Sequence, residues 1–300
     1  MSGPSMTPVP AKASRASPVL RLASLAARLL PLSLKRLLYR SPRLARLIRQ
    51  ELNRRAPQGF SVVEVAAGEL AGLRLSLDLH AEKDYWLGTY EPELLSTLAD
   101  LVKPGWVAYD LGANIGYITL LLARLAGQDG RVYSFEALPA NLERLRLNLR
   151  LNTLEEHVTV VPGAVGNSTQ PVQFLVGPSD DTGKAQGSAG RQELAYSGAI
   201  SVPGVVLDEF VFTLGNPPPA LMKIDIEGGE VLALPGMRRL LAEARPLVCL
   251  ELHGPEAARV AWDTLVATGY RLCRMEPDYP PVPSLDALDW KAYVVAFPVD

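Results

Sequence analysis

The run VAYDLGANIGYITLLLARL, from Val107 to Leu125, limits the possible folds more than any other part of this chain. An apolar stretch ends at Asp110, crosses a loop containing Gly112 and Gly116, and resumes with Ile and Leu at helical spacing. In an open α/β sheet such a strand, loop and helix hold a ligand at the strand's carboxyl end. The helix presents free N–H groups and its positive end there. Glycines let the backbone come close to whatever is bound.

The same rhythm continues downstream. Strands are expected at 106–110, 131–135, 158–162, 220–225, 246–252, 269–275 and 291–297, with helices near 115–127, 139–151, 229–243 and 255–268. Alternation of this kind predicts an α/β class, with a doubly wound, mostly parallel sheet and helices on both faces. Upstream, FSVVEVAAGELAGLRLSLDL predicts a β-hairpin from Phe60 to Leu79. Further strands near 171–176 and 200–206 bracket GPSDDTGKAQGSAGRQELAYSG, a Gly- and Ser-rich segment read as a lid or a disordered insertion. The expected organisation is a disordered leader over 1–17, a basic helical segment with the hairpin over 18–80, and the α/β domain over 81–300.

Charge is distributed unevenly. Residues 12–55 hold twelve Lys or Arg against one acid, Glu51, which leaves 18 basic and 31 acidic residues elsewhere. So acidic a body would be repelled by phosphates, so nucleic acid is not an expected partner. Leu34, Leu37, Leu38, Ala45, Ile48 and Leu52 share a helical face opposite Arg36, Arg40, Arg43 and Arg46, with Pro42 breaking or kinking the helix. Such a helix either packs on its own domain or lies on an anionic membrane surface. Its uncharged runs are too short for a span or a signal peptide. The expected location is cytoplasmic, with peripheral membrane contact through this segment as an option. Cys249 and Cys273 both fall in apolar runs and read as buried strand residues, not a disulfide or zinc site.

Two ligand classes compete for the first loop. A dinucleotide loop reads G-x-G-x-x-G and brings a glycine against a pyrophosphate. Here Gly112 and Gly116 are separated by three residues including Asn114, and Asp110 precedes them. A carboxylate there repels a pyrophosphate and attracts a cationic amino-acid moiety. The ligand that fits is S-adenosylmethionine, with an ammonium, a sulfonium and no phosphate. Glu136, at the end of the next strand, is placed to accept both ribose hydroxyls. The bland reading of Asp110 is a helix cap. After the third strand, VTVVPGAVGNS places small residues and Asn167 where the adenine would lie.

Two later strands also end in polar residues. KIDIEGGE carries Asp225 and Glu227 at i, i+2, and Glu230 in the next helix's first turn, where an acid is favoured without any catalytic role. PLVCLELHG carries Glu251 and His253 with the same spacing. His253 is the first choice of base for deprotonating a hydroxyl, followed by Asp225 and Glu251. The bland reading of His253 is a structural hydrogen-bonding residue. No metal is assigned, because the ligand set around Asp225 and Glu227 is incomplete.

Together, KPGWVAYDLGANIGYITLLLARLAGQDGRVYSFEALPANLERLRLNLRLN, LDEF, LMKIDIEGGEVLALPGMRRLL and PLVCLELHG resemble the FkbM family of S-adenosylmethionine-dependent methyltransferases. The resemblance covers roughly residues 84–255. It implies a Rossmann-like seven-stranded methyltransferase sheet with one antiparallel strand, and O-methylation of a hydroxyl on a sugar, glycolipid or polyketide-type acceptor. It implies cofactor contacts at Asp110, Gly112, Asn114 and Glu136, and cleft positions at Asp225 and Glu227. Gly116, Asn167 and Asp225 complete the expected cofactor set, with Glu227 towards the acceptor. The alternatives are an NAD-dependent oxidoreductase on a similar sheet, a non-catalytic membrane-tethered binding module, and an amine or carboxylate as methyl acceptor. S-adenosylmethionine should raise the melting temperature of the protein and NAD should leave it unchanged; the opposite pattern in a thermal-shift comparison selects the oxidoreductase.

Overall fold

A computed structural model describes residues 56–177, 183–190, 193 and 195–299, together with 25, 50 and 54. The expected leader lies outside the described residues, as does nearly all of the basic segment. Among the described residues no helix is long and apolar enough to cross a membrane. The chain divides into two compact units, Met1–Tyr90 and Glu91–Asp300.

In the first unit, β1 (Phe60–Glu64) and β2 (Arg74–Asp78) form the expected antiparallel hairpin, with Phe60 opposite Asp78 and Glu64 opposite Arg74. A short helix, α1 (Lys83–Leu87), follows and ends on Gly88.

The second unit begins with α2 (Pro92–Leu101), β3 (Val107–Leu111), α3 (Tyr117–Ala126), β4 (Arg131–Glu136), α4 (Pro139–Leu151) and β5 (Val158–Pro162). Short strands follow: β6 (Ala164–Val165), β7 (Val172–Val176), β8 (Gly183–Ala185), β9 (Gly198–Val202) and β10 (Gly204–Val205). Then come α5 (Leu207–Phe212), β11 (Leu221–Ile224), α6 (Glu230–Ala233), α7 (Arg238–Glu243), β12 (Leu247–His253), α8 (Pro255–Ala267), β13 (Tyr270–Arg274) and β14 (Lys291–Pro298). The central sheet has seven strands in the order β13-β14-β12-β11-β3-β4-β5, with β14 antiparallel to both neighbours. This is the doubly wound sheet expected from the sequence. β3 and β11 are neighbours, and β4 and β5 follow β3 on one side while β12 follows β11 on the other, so the strand order reverses between β3 and β11.

Two expectations change. The helix read over 229–243 is interrupted by a 3-10 turn at Leu234–Met237, because Pro235 has no N–H to donate and its ring obstructs a continuous helix. The described residues of the Gly- and Ser-rich insertion include a strand that its composition did not suggest. β8 within it pairs with β7, and β7 with β9, as a separate three-stranded sheet. Lys184 in β8 is buried, and its Nζ donates to the Ala189 carbonyl at 3.0 Å. Pairing with a neighbouring strand supplies the backbone hydrogen bonds that a Gly-rich segment cannot advertise by side-chain pattern.

The LDEF segment has a structural task. Asp208 accepts hydrogen bonds from the backbone N–H of Arg239 and Leu240 and so caps α7. Phe210 packs edge-on against Tyr109, Tyr133 and Phe135, with ring centroids 5.2–5.9 Å away, and fastens α5 to β3 and β4. Truncation by Phe210→Ala should cost about 3–5 kcal/mol of stability in denaturant unfolding; a loss below that of an exposed-site variant would show that this contact does not hold the helix.

Candidate active site

Successive side chains of a strand point to opposite faces of the sheet. Tyr109, Leu111, Tyr133, Phe135, Met222, Ile224, Val248, Leu250 and Leu252 join one large apolar core. The residues between them therefore share the other face: Asp110, Ser134, Glu136, Lys223, Glu251 and His253. Parallel register sets Lys223 beside Asp110, and Asp110 beside Ser134. A ligand crevice in such a sheet lies beyond the carboxyl ends of β3 and β11, where the strand order reverses.

Asp110 does not face that crevice. It is fully buried, its Oδ2 accepting from the Thr119 hydroxyl at 2.6 Å and its Oδ1 lying 3.2 Å from Lys223 Nζ. The ammonium also donates to the carbonyls of Gly112 (2.9 Å) and Leu111 (3.3 Å) and stands 3.8 Å from Asp225. Burial alone would lower the lysine's pKa, but Asp110 and Asp225 outweigh it and hold it above its ordinary value. Asp110, expected from the sequence at the cofactor loop, lies at the base of that loop. Its charge is met by Lys223, and what it holds is the loop.

That loop is shaped by close approach. Gly112 has φ +78°, and a Cβ there would come within 1.9 Å of the Asp225 carbonyl oxygen. No other residue type allows the first loop to touch the end of β11 in this way. Asn114 adopts φ +49°, a left-handed conformation that Asn tolerates. Its N–H donates to Glu136 Oε2 at 2.8 Å, while Glu136 Oε1 accepts from the N–H of Ala137 and Leu138. Burial raises the Glu136 pKa against the opposing effect of these N–H groups. Asn148, buried in α4, donates to the Ile115 carbonyl at 2.8 Å, and α3 begins directly after Gly116.

The residues present fit S-adenosylmethionine. The side-chain oxygen of Asn114 is buried with no hydrogen-bond partner, an acceptor suited to an ammonium. Glu136 Oε2 accepts one N–H and retains capacity for a ribose hydroxyl. Asn167, expected beside the adenine, is exposed and lies against the Leu234–Met237 turn, where a Cβ on Gly236 would come within 3.2 Å of its Cα.

The ends of β11 and β12 bring the remaining polar residues together. His253 Nε2 lies 3.1 Å from Glu251, 3.8 Å from Asp225 and 3.8 Å from Glu227, while Nδ1 lies 3.4 Å from Glu230. Lys291, opposite His253 in register, pairs with Glu251 Oε1. Side-chain exposure is 20% for Asp225 and 42% for Glu227, but 5% for His253 and 3% for Glu251. Burial opposes a charged imidazole, yet hydrogen bonds to Glu230 and Glu251 outweigh it and raise His253 to about 10. Burial also pushes Glu251 up, and the His253 and Lys291 hydrogen bonds more than reverse this, to about 2. Asp225 rises to about 7, through burial first and then repulsion from Glu251 and Glu91, against the pull of Lys223. His253, first choice as base from the sequence, is thus buried among carboxylates that favour its protonated form.

Sequence reasoning missed Lys223 and Lys291 and set Glu230 aside. Lys223 had a legible signal: a lysine inside the apolar run LMKI must be paired if the strand is central. Lys291 and Glu230 join the site through strand pairing and helix packing, and neither carries a local signature.

A family model described as the methyltransferase FkbM domain matches residues 110–272 of the chain. The hexuronic acid methyltransferase AglP of Haloferax volcanii is 26% identical over 163 residues, 54% of this chain and 62% of the relative. A protein-L-isoaspartate O-methyltransferase of Methanococcoides burtonii is 33% identical over 60 residues, 19% of this chain and 30% of the relative. The chain thus spans less than two thirds of the length of either. Among solved structures, an FkbM methyltransferase from Methylobacillus flagellatus is 19% identical, with a TM-score of 0.43, covering 84% of this chain and 60% of that one.

Removing the ammonium alone, by Lys223→Met, leaves Asp110 buried and uncompensated and should cost about 3–5 kcal/mol. The double variant Lys223→Met/Asp110→Leu should recover most of that in denaturant unfolding. A double variant no more stable than the single one contradicts the pairing.

Proposed function

The chain belongs to the FkbM family of S-adenosylmethionine-dependent methyltransferases, and from that premise we propose that it methylates a hydroxyl of a small sugar-type acceptor. One observation carries this reading. The glycine loop suited to the cofactor touches, through Gly112, the backbone of Asp225, whose carboxyl group is the partly exposed member of a buried acid cluster. A methyl acceptor held by that cluster sits next to the donor's loop. The hexuronic acid specificity in the relative's name agrees with a sugar hydroxyl.

When bound, S-adenosylmethionine supplies a methyl group made electrophilic by its sulfonium. The residues of this chain then have three tasks. Asn114, Glu136 and the Gly112–Gly116 loop hold the donor in one orientation. Asp225 and Glu227 hold the acceptor so that its oxygen faces the donor; alignment of this kind supplies roughly 7–11 kcal/mol of a barrier. Asp225 receives the hydroxyl proton, since an alcohol is a poor nucleophile until that proton leaves. Behind it, Glu251 and His253 are closed off from solvent and fix its surroundings.

The insertion helps to cover the cleft. Ala189 donates its N–H to the Gly228 carbonyl at 2.9 Å, beside Glu227 in the left-handed conformation (φ +53°). That turn is held in a strained shape by the segment lying on it, the arrangement expected where a cleft must be closed against water.

Asp225→Asn should lower kcat for methyl transfer to hexuronate-containing glycosides about 10²–10⁴-fold, with S-adenosylmethionine affinity kept within a few fold. An unchanged kcat removes Asp225 from the proton transfer. Transfer to amines but to no hydroxyl in the same assay removes the acceptor class.

A further inference from the structure

The acid cluster contains more ligand chemistry than proton removal requires. Asp225, Glu251 and His253 each offer one oxygen or nitrogen, and these three atoms lie within 4.8 Å of one another. Ligands held about 2.0–2.2 Å from a small divalent cation are themselves about 3–4 Å apart. The separations of His253 Nε2 from Glu251 Oε1 (3.1 Å) and from Asp225 Oδ1 (3.8 Å) already fall in that range.

Two independent features point to a cation. First, Lys291 and His253 share Glu251 Oε1, whereas Glu251 Oε2 is buried and makes no well-aligned hydrogen bond, on a residue only 4% exposed. A buried carboxylate oxygen left unmatched is costly and calls for a positive partner. Second, the imidazole is oriented as metal-binding histidines are. Glu230 is fully buried and accepts from Nδ1, which turns Nε2 towards Asp225 and Glu251. A carboxylate behind one ring nitrogen fixes the other as a ligand.

We propose that Asp225, Glu251 and His253 Nε2 bind one divalent cation of the Mn2+ type, with Glu230 as the positioning residue for the imidazole. Two carboxylates and one imidazole suit Mn2+ or a related hard-to-borderline ion, and three protein ligands leave positions open for an acceptor oxygen. Ligation replaces the Nε2 proton, which passes to solvent. Asp225 ligates through Oδ1, and its Oδ2, on the Lys223 side, remains for the hydroxyl proton. The site itself is independent of the acceptor's identity; its use in catalysis rests on the hydroxyl acceptor proposed above.

Mn2+ titration of the metal-stripped full chain, followed by electron paramagnetic resonance, tests this. One Mn2+ should bind per chain. Glu230→Gln should weaken binding about 10–100-fold, and Glu251→Gln should abolish it while S-adenosylmethionine binding persists. Lys291→Met, at a half-exposed lysine, removes a competing cation and should tighten Mn2+. Absence of binding to the wild-type chain at millimolar Mn2+, or binding unchanged in Glu251→Gln, overturns the site. If Glu251→Gln fails to fold, Lys291→Met decides: tighter binding supports the site, and unchanged or weaker binding overturns it. Methyl transfer unaffected by chelator refutes the catalytic use of the ion and leaves the hydroxyl acceptor standing; Mn2+ binding with no hydroxyl methylated does the reverse.

Discussion

A single buried ammonium joins the two halves of the crevice. Lys223 projects from β11 onto Asp110 of β3, across the place where the strand order reverses, and its remaining hydrogens go to the carbonyls of Leu111 and Gly112. In the low-dielectric interior neither charge is tolerable without the other. The pair therefore does little for net stability and much for geometry. It fixes where the first strand stops, which carbonyls turn inward, and how close the glycine loop lies to Asp225.

From that anchor the remaining features follow by alternation and register. Every second residue of β3, β4, β11 and β12 enters the apolar core, and the residues between, charged or hydroxyl-bearing in the last turns of each strand, collect on the opposite face. Parallel pairing keeps the strand ends level, so four separate segments deliver their polar groups to one place. Antiparallel β14 adds Lys291 from the far side, opposite His253. Glu230, the first residue of α6, reaches back to the same imidazole. The outcome is a graded set: Asp225 and Glu227 meet solvent, while Glu251, His253 and Glu230 form a closed layer beneath them.

Much of the fold was legible because its signals are local. The seven core strands and α3, α4 and α8 announce themselves through apolar periodicity and glycine or proline at their ends, and each lies within a few residues of its expected position. Pro235 is equally visible in the sequence, and it divides the helical stretch after β11 at the Leu234–Met237 turn. β8 was hidden, because a three-residue strand between glycines has no pattern of its own and exists through its partner β7. In the site, Glu136 and Asn114 were readable from their places after strand ends. Asp110 was legible, but its pairing with Lys223 was not, since that neighbour lies 113 positions away in sequence.

The amino-acid sequence by itself determined the class of sheet, the glycine loop, the carboxylates at the strand ends and the family resemblance, because all of these depend on spacing within short segments. Only the tertiary structure decided which charges face a ligand and which are spent on one another. It turned Asp110 inward, placed His253 between Glu230 and Glu251, and assembled two pairs of residues at i, i+2 into one cluster. Pairing of buried charges is a matter of distance in space, and strand order and register alone set that distance.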